Sequence, residues 1–256
     1  MPVSDKHKLI LVHIRKTGGT SIEKAMGIFD NDYLLPEIKL YCIKNGRNLK
    51  HLNAREIKEV MGKKQYKEYF KFSVVRNPYT RLVSSYFYFN IDKKMPFDKF
   101  LKDIVLQNKT ERYYSQFYCL SDEKGRIIVD SILRFENLEE DFNRLMKKLK
   151  LNFKLPYINK TTYNPNQVIY TERGKKLIEK LYKKDIKFFG YGDYSPKTQP
   201  IFTHYFKWYT KFTINYIKQI PKKLLDKLYY LSAFLKVKSD FYSRFVNNVK
   251  KIFAIK

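Results

Sequence analysis

The chain has 256 residues and a formal net charge of +27, from 52 Lys or Arg residues against 25 Asp or Glu residues. Its length suits one sizeable domain plus an appendage, and a hydrophobic content of 44% supports a packed core. Two cysteines, Cys42 and Cys119, argue against a secreted domain built on disulfides. The N-terminus has no apolar run long enough for a signal peptide or membrane anchor, and the charge predicts attraction to polyanions.

The first predicted elements are a buried strand near residues 8–14 and a helix near 20–27, joined by the turn Lys16-Thr-Gly-Gly-Thr-Ser21. Free backbone N–H groups, hydroxyls and the lysine charge at such a turn favour an anion. Thr20 and Glu23 have capping-box spacing, which predicts that the helix begins there. The turn is not a Walker A loop, because its Lys precedes both glycines. An ordinary strand–helix turn remains the alternative.

A second motif follows the predicted strand 71–75 and reads Arg76-Asn-Pro-Tyr-Thr-Arg-Leu-Val-Ser-Ser-Tyr86. Asn77 and Pro78 are typical of a helix start, and Ser84 lies two helical turns beyond Asn77. An Arg at a strand's carboxyl end beside a helical hydroxyl suits recognition of a second phosphate. The alternative is a surface Arg next to an ordinary helix cap.

Together these motifs resemble the sulfotransferases that use 3′-phosphoadenosine 5′-phosphosulfate (PAPS). The carbohydrate branch, with the heparan sulfate 2-O-sulfotransferases and many bacterial members, is the most similar. The resemblance implies that Arg76 and Ser84 hold the 3′-phosphate, and that the 5′-phosphosulfate is held by Lys16, Thr17, Gly18, Gly19, Thr20 and Ser21. Arg15, where relatives often carry Pro, adds charge beside this loop.

The resemblance extends through the segments 132–145 and 183–191, and so covers roughly residues 8 to 191. It implies an α/β fold, a P-loop-like three-layer αβα domain over residues 1–195 with a mainly parallel central sheet. Strands are predicted near 8–14, 71–75 and 127–135, and further helices near 54–69, 78–91, 96–107, 137–149 and 173–186. In such a sheet the binding loops lie at the carboxyl edge.

Transfer to a hydroxyl requires a base, and a neutral His suits this near neutral pH. The chain has four histidines, and the resemblance implicates one in the region of His51, which we predict to be the base. The alternative is a loop histidine without chemistry. His13 is expected inside the first strand, and His7 and His204 have weaker claims. Further candidate carboxylates are Glu23, Asp92 and Glu136, of which Glu136 is expected to organise the site.

The resemblance implies in-line displacement, in which the acceptor oxygen attacks sulfur opposite the phosphate and 3′,5′-adenosine bisphosphate (PAP) is released. Lys16 would stabilise the developing charge. No metal is predicted, because no ligand cluster is evident. The acceptor is expected to be a carbohydrate or glycolipid hydroxyl, with part of its site in residues 29–50. The aromatic residues of 108–126 would form a sugar platform or belong to the core, and these are Tyr113, Tyr114, Phe117 and Tyr118, with Gln116 among them.

Residues 196–256 form a predicted basic extension. Between Lys197 and Lys256 there are 13 Lys or Arg residues and two acidic residues, with apolar and aromatic side chains at helical spacing. Three interpretations stay open: helices packed on the domain or a partner, an interfacial helix on an anionic membrane, or a surface that collects an acidic glycan. No specific nucleic-acid partner is expected.

Two other classes of function remain. A P-loop kinase acting on ATP is disfavoured by the order of Lys and Gly in the loop, and a non-catalytic polyanion-binding protein would not need both phosphate motifs. Golgi relatives usually carry a membrane anchor, so the unanchored N-terminus favours a cytoplasmic enzyme, with peripheral contact to the inner membrane face as a further expectation.

Overall fold

In the computed structural model, the described residues are 3–28, 44, 49–107, 113–156, 168 and 170–192. The chain divides into two units, Met1–Gln199 and Pro200–Lys256, and the second lies outside the described residues. The predicted boundary between residues 195 and 196, the predicted extension, and most of the predicted acceptor segment 29–50 also lie outside them.

A central sheet contains the strands β1 (Val3–Ser4), β2 (Leu9–Val12), β3 (Phe70–Val75) and β4 (Ser131–Arg134), in that order. β2 pairs with β3 in parallel, with Val12 opposite Ser73, and β3 pairs with β4 in parallel, with Val75 opposite Arg134. The two-residue β1 runs antiparallel along the other edge of β2. The prediction of a mixed α/β fold with a mainly parallel sheet is therefore confirmed.

Helices connect these strands. Those in the described residues are α1 (Gly19–Ala25), α2 (Ala54–Met61), α3 (Lys63–Glu68), α4 (Pro78–Tyr88), α5 (Phe97–Phe100), α6 (Gln116–Leu120), α7 (Leu138–Lys148), α8 (Glu172–Leu181) and α9 (Lys183–Phe188). Short 3₁₀ turns occur at Leu49–His51, Ile91–Lys93 and Phe135–Asn137, and a π-helical turn at Leu101–Leu106. None of the described helices is both long enough and apolar enough to cross a membrane.

The β2 strand explains why helices cover both faces of the sheet. All four of its residues are buried, and successive side chains point to opposite faces. Ile10 and Val12 belong to one apolar cluster, with side chains of α2 and α3. Leu9 and Leu11 belong to another, with side chains of α1 and α7. The carboxyl ends of β2 and β3, where the two predicted phosphate motifs begin, therefore lie side by side at one edge.

Some predicted boundaries were wrong. The predicted helix 54–69 is interrupted at Gly62, whose φ of 79° is not helical, so α2 and α3 are separate. The predicted strand 127–135 begins only at Ser131, because Ile127 pairs instead with Ser121 in an isolated bridge. Between Ile127 and Ser131, the Asp130 carboxylate accepts a hydrogen bond from the backbone N–H of Lys71 at 2.7 Å. A polar side chain thus ends the pairing that the apolar pattern predicted to continue.

Candidate active site

The loop between β2 and α1 has two left-handed residues. Gly18 is the N-cap of α1 with φ 86°, and Lys16 has φ 64°, which is uncommon for a residue with a Cβ. Thr17 is 1% exposed, and its hydroxyl donates to the Ile14 carbonyl at 2.8 Å, while the Ser21 N–H donates to the Gly18 carbonyl at 3.1 Å. The Thr17 hydroxyl therefore shapes the loop itself.

The predicted capping box is wrong, because no side chain caps α1. The Glu23 carboxylate, 2% exposed, instead lies between His13 and Lys50, with Oε1 2.5 Å from His13 Nδ1 and Oε2 2.5 Å from Lys50 Nζ. Burial lowers the pKa of His13. Burial also acts to raise the pKa of Glu23, but His13 and Lys50 hold that pKa below its ordinary value. We conclude that a neutral His13 donates to a charged Glu23.

The position of the His13 ring, which Glu23 holds, explains why residue 19 is a glycine. A Cβ built on Gly19 would lie less than 3.0 Å from three ring atoms of His13. The ring cannot easily retreat, because Glu23 fixes one of its nitrogens. This part of the loop therefore has room only for hydrogen at position 19.

We expect Gly19→Ala to destabilise the protein by about 1–3 kcal/mol, since it overpacks a fixed ring. Urea unfolding measures the change. Gly192→Ala is the matched control, because a Cβ there meets nothing within 4 Å. Equal stability of the two variants would show that the His13 ring is free to move.

His51 follows immediately on Lys50 and lies beside the same loop. Its Nδ1–H donates to the His13 carbonyl at 2.9 Å, and the two rings meet edge to face with centroids 4.7 Å apart. A carbonyl can only accept, so the bond fixes the tautomer and leaves the lone pair on Nε2. Burial lowers the pKa of His51 to about 2, and the nearby positive charges of Arg15 and Lys50 contribute. His51 is therefore a neutral acceptor throughout the physiological range.

Arg76 leaves the end of β3 and reaches the loop. Its Nη1 donates to the Lys16 carbonyl at 3.2 Å, its Nε donates to Thr80 Oγ1 at 3.1 Å, and its guanidinium carbon lies 4.0 Å from the Phe135 ring centroid. The two predicted phosphate motifs are therefore in direct contact. Ser84, from the same prediction, lies on α4 and is only 2% exposed.

The Lys16 ammonium lies 3.5 Å from the ring centroid of Tyr88, a side chain that is 63% exposed. Burial lowers the pKa of Lys16 to about 8, and the nearby charge of Arg76 contributes. Two cations thus lie close enough to disfavour each other's charge. Such an arrangement is suited to an anion of more than one negative charge.

Polar side chains from the 3₁₀ turn Phe135–Asn137 and from α6 hold the main chain of Asn77 and Arg76. Glu136 accepts the Asn77 N–H at 2.7 Å and the Tyr191 hydroxyl at 3.1 Å, so this carboxylate organises the helix start. The buried Gln116 pairs with the Arg76 main chain. Sequence reasoning missed this role of Gln116, since its only signal was a polar residue among aromatic ones.

The predicted aromatic platform is divided between core and surface. Tyr113 is 8% exposed and packs in the core, whereas Tyr118 is 43% exposed, with the Arg55 guanidinium carbon 4.2 Å from its ring centroid.

Arg15 and Thr20 are half-buried beside the loop. Within the described ranges no group of three or more His, Cys, Asp or Glu side chains could hold a metal ion.

The chain is similar in sequence to known proteins. An uncharacterized protein of Archaeoglobus fulgidus is 35% identical over 98 residues, which are 37% of this chain and 79% of that protein. No solved structure matches the chain significantly. The model of the sulfotransferase family matches residues 1–192, which include both predicted phosphate motifs, His51 and the whole described sheet. The chain therefore belongs to the sulfotransferase family.

Proposed function

We propose that this protein transfers a sulfuryl group from PAPS to a hydroxyl of a carbohydrate acceptor by in-line displacement, with His51 as the base. The observation that carries the proposal is the contact between the two phosphate motifs, in which the Arg76 side chain donates to the Lys16 carbonyl. Membership of the sulfotransferase family supports sulfuryl transfer, and the donor follows from what that family typically uses.

The residues present fit a donor with phosphates at both ends. Lys16, the backbone of Gly18 and Gly19, and the hydroxyls of Thr20 and Ser21 would hold the 5′ end, while Arg76 and Ser84 would hold the 3′-phosphate. The like charges of Lys16 and Arg76, which lower the pKa of Lys16, favour a polyanion at this place. Bound PAPS supplies the sulfuryl group and the phosphate that leaves.

His51 has the properties of a base for the acceptor hydroxyl. Its Nδ1–H is committed to the His13 carbonyl, so Nε2 is the atom that would receive the proton. With a pKa of about 2 the free imidazole is a weak base, so the role requires that the negative charge of a bound donor raise this pKa towards neutrality. Lys16 would stabilise negative charge on the leaving phosphate.

An acidic glycan or glycolipid is the acceptor that best suits the charge of +27. The exposed Tyr118, with Arg55 over its ring, would offer both an aromatic face and a positive charge to such an acceptor. The basic residues 197–256 would add to this attraction, either towards the glycan or towards an anionic membrane surface.

Binding of PAP, measured by calorimetry against AMP and ATP, tests the donor. We expect wild type to bind PAP much more tightly than AMP, which lacks the 3′-phosphate, and we expect Arg76→Ala to weaken PAP binding roughly 10- to 100-fold, since a charged hydrogen bond contributes about 1.5–3 kcal/mol. AMP binding should change much less. Arg144→Ala is the matched control, because Arg144 is an exposed arginine paired with Glu140 at 3.0 Å on α7.

Three results would contradict the proposal. Equal affinity of wild type for AMP and PAP would show that the protein has no site for the 3′-phosphate. A preference for ATP over PAP would instead favour a kinase-like phosphotransferase, and binding of none of the three nucleotides by folded protein would favour a non-catalytic polyanion-binding protein.

A further inference from the structure

The main chain of Arg76 is held by a side-chain amide. Gln116 is 0% exposed; its Oε1 accepts the Arg76 N–H at 2.8 Å, and its Nε2 donates to the Arg76 carbonyl at 2.8 Å. These two bonds satisfy both polar groups of Arg76's main chain, as a neighbouring strand would do. Arg76 follows the last paired residue of β3, Val75, so the amide extends the ordered backbone by one residue.

A buried carboxylate fixes the orientation of this amide. Asp185, on α9, is 0% exposed; its Oδ2 accepts the Gln116 N–H at 2.9 Å and lies 3.3 Å from Gln116 Nε2. Its Oδ1 accepts the Phe117 N–H at 2.9 Å and the Ser115 hydroxyl. A flipped Gln116 amide would point its oxygen at both Asp185 and the Arg76 carbonyl, and two acceptors cannot bond. Only the observed orientation satisfies the amide.

We propose that Gln116 and Asp185 are positioning residues that hold Arg76 for recognition of the 3′-phosphate. The inference rests on the proposed function, in which Arg76 is the 3′-phosphate ligand. The Arg76 side chain also bridges to the Lys16 carbonyl and to Thr80, so the direction of its guanidinium depends on where its Cα is fixed. Asp185 thereby connects a helix 109 residues along the chain to the binding arginine.

If Gln116 positions Arg76, its loss should weaken affinity for the 3′-phosphate and leave affinity for the rest of the nucleotide unchanged. Gln116→Met keeps the length of the side chain but removes both bonds to Arg76. We expect PAP binding to weaken 5- to 50-fold while AMP binding stays within about twofold, because a misplaced guanidinium loses only its own phosphate contact. Calorimetry with PAP and AMP measures both affinities.

Thr171→Val is the matched control for general destabilisation. Thr171 is also 0% exposed, and its hydroxyl is bonded to Asp98 and to the Gly174 N–H, so the substitution removes a buried polar cap from a different helix. We expect it to lower stability without changing the ratio of PAP to AMP affinity. A similar change of that ratio in both variants would assign Gln116 a merely structural role.

A double-mutant cycle gives the second criterion. If Gln116 acts through Arg76, then Gln116→Met should change PAP affinity less than twofold once Arg76 is alanine. A full effect in that background would overturn the proposal. If wild type itself does not prefer PAP over AMP, the proposed function is what fails, and the role assigned to Gln116 fails with it.

Amide hydrogen exchange on wild type keeps the inference testable if Gln116→Met does not fold. The Arg76 amide should exchange as slowly as the paired amides of β3, since a buried acceptor holds it. Slow exchange supports the hydrogen bond by which Gln116 holds the Arg76 main chain, whatever the nucleotide preference. Exchange at the rate of an unpaired loop amide would overturn it.

Discussion

His51→Asn is expected to lower kcat for sulfuryl transfer by roughly 10²- to 10⁴-fold, the contribution typical of a general base. The asparagine amide can still donate to the His13 carbonyl, as Nδ1 of His51 does at 2.9 Å, so the local structure should persist. PAP affinity should remain within about twofold, because the lost atom is the proton acceptor and not a phosphate ligand.

The measurement is transfer of radiolabelled sulfate from PAPS to a panel of glycans that differ in uronic acid content, with PAP affinity measured in parallel. His7→Asn serves as the control, since His7 packs against Phe153, with ring centroids 5.0 Å apart, at the other end of β2. An unchanged kcat in His51→Asn would remove His51 from the chemistry. A loss of PAP binding equal to the loss of kcat would make it a donor-site residue.

The ionisation of His51 provides a check that needs no acceptor. Burial lowers the pKa of His51 to about 2, so between pH 5 and 8 nuclear magnetic resonance should show a neutral ring protonated on Nδ1. PAP binding brings negative charge and should raise that pKa. A ring that is protonated on Nε2 in the free protein would place the lone pair on the wrong atom for the proposed role.

The strand, turn and helix that carry each predicted phosphate motif could be predicted from sequence because each segment is local. A strand, a turn and a helix start occupy about a dozen consecutive residues, so the positions of Lys16 in the turn after β2 and of Arg76 directly after β3 follow from pattern alone. Their proximity follows too, since adjacent parallel strands end at the same edge. The hydrogen bond from Arg76 to the Lys16 carbonyl agrees with that expectation.

The support of the site could not be predicted, because it joins residues far apart in sequence. Gln116 bonds Arg76 across 40 residues and Asp185 across 69, and neither pairing leaves a periodic signal. For Glu23 a local rule gave a wrong prediction. Its spacing from Thr20 predicted a capping box, but in the folded protein its carboxylate binds His13 and Lys50 instead. Tertiary partners decided the role of each of these polar side chains.

Lys16→Ala is expected to lower kcat by roughly 10²- to 10³-fold, the cost of removing one preorganised group that stabilises transition-state charge. Lys16→Arg retains charge, but its planar fork replaces a compact ammonium, so we expect it to recover only part of the rate. PAP affinity should fall less than kcat in Lys16→Ala, since Arg76 and the loop backbone remain.

The pH dependence of PAP binding distinguishes this role from mere positive charge. Burial, with the charge of Arg76, lowers the pKa of Lys16 to about 8, so the ammonium is present below pH 8 and lost above it. We expect wild-type affinity to fall up to tenfold per pH unit above 8, whereas Lys16→Arg, always charged, should bind equally from pH 7 to 9.5. The window lies above the last phosphate ionisation of PAP, near pH 6, so the ligand charge is constant. Parallel curves for the two proteins would mean that another group titrates, and that the Lys16 ammonium does not bind the donor.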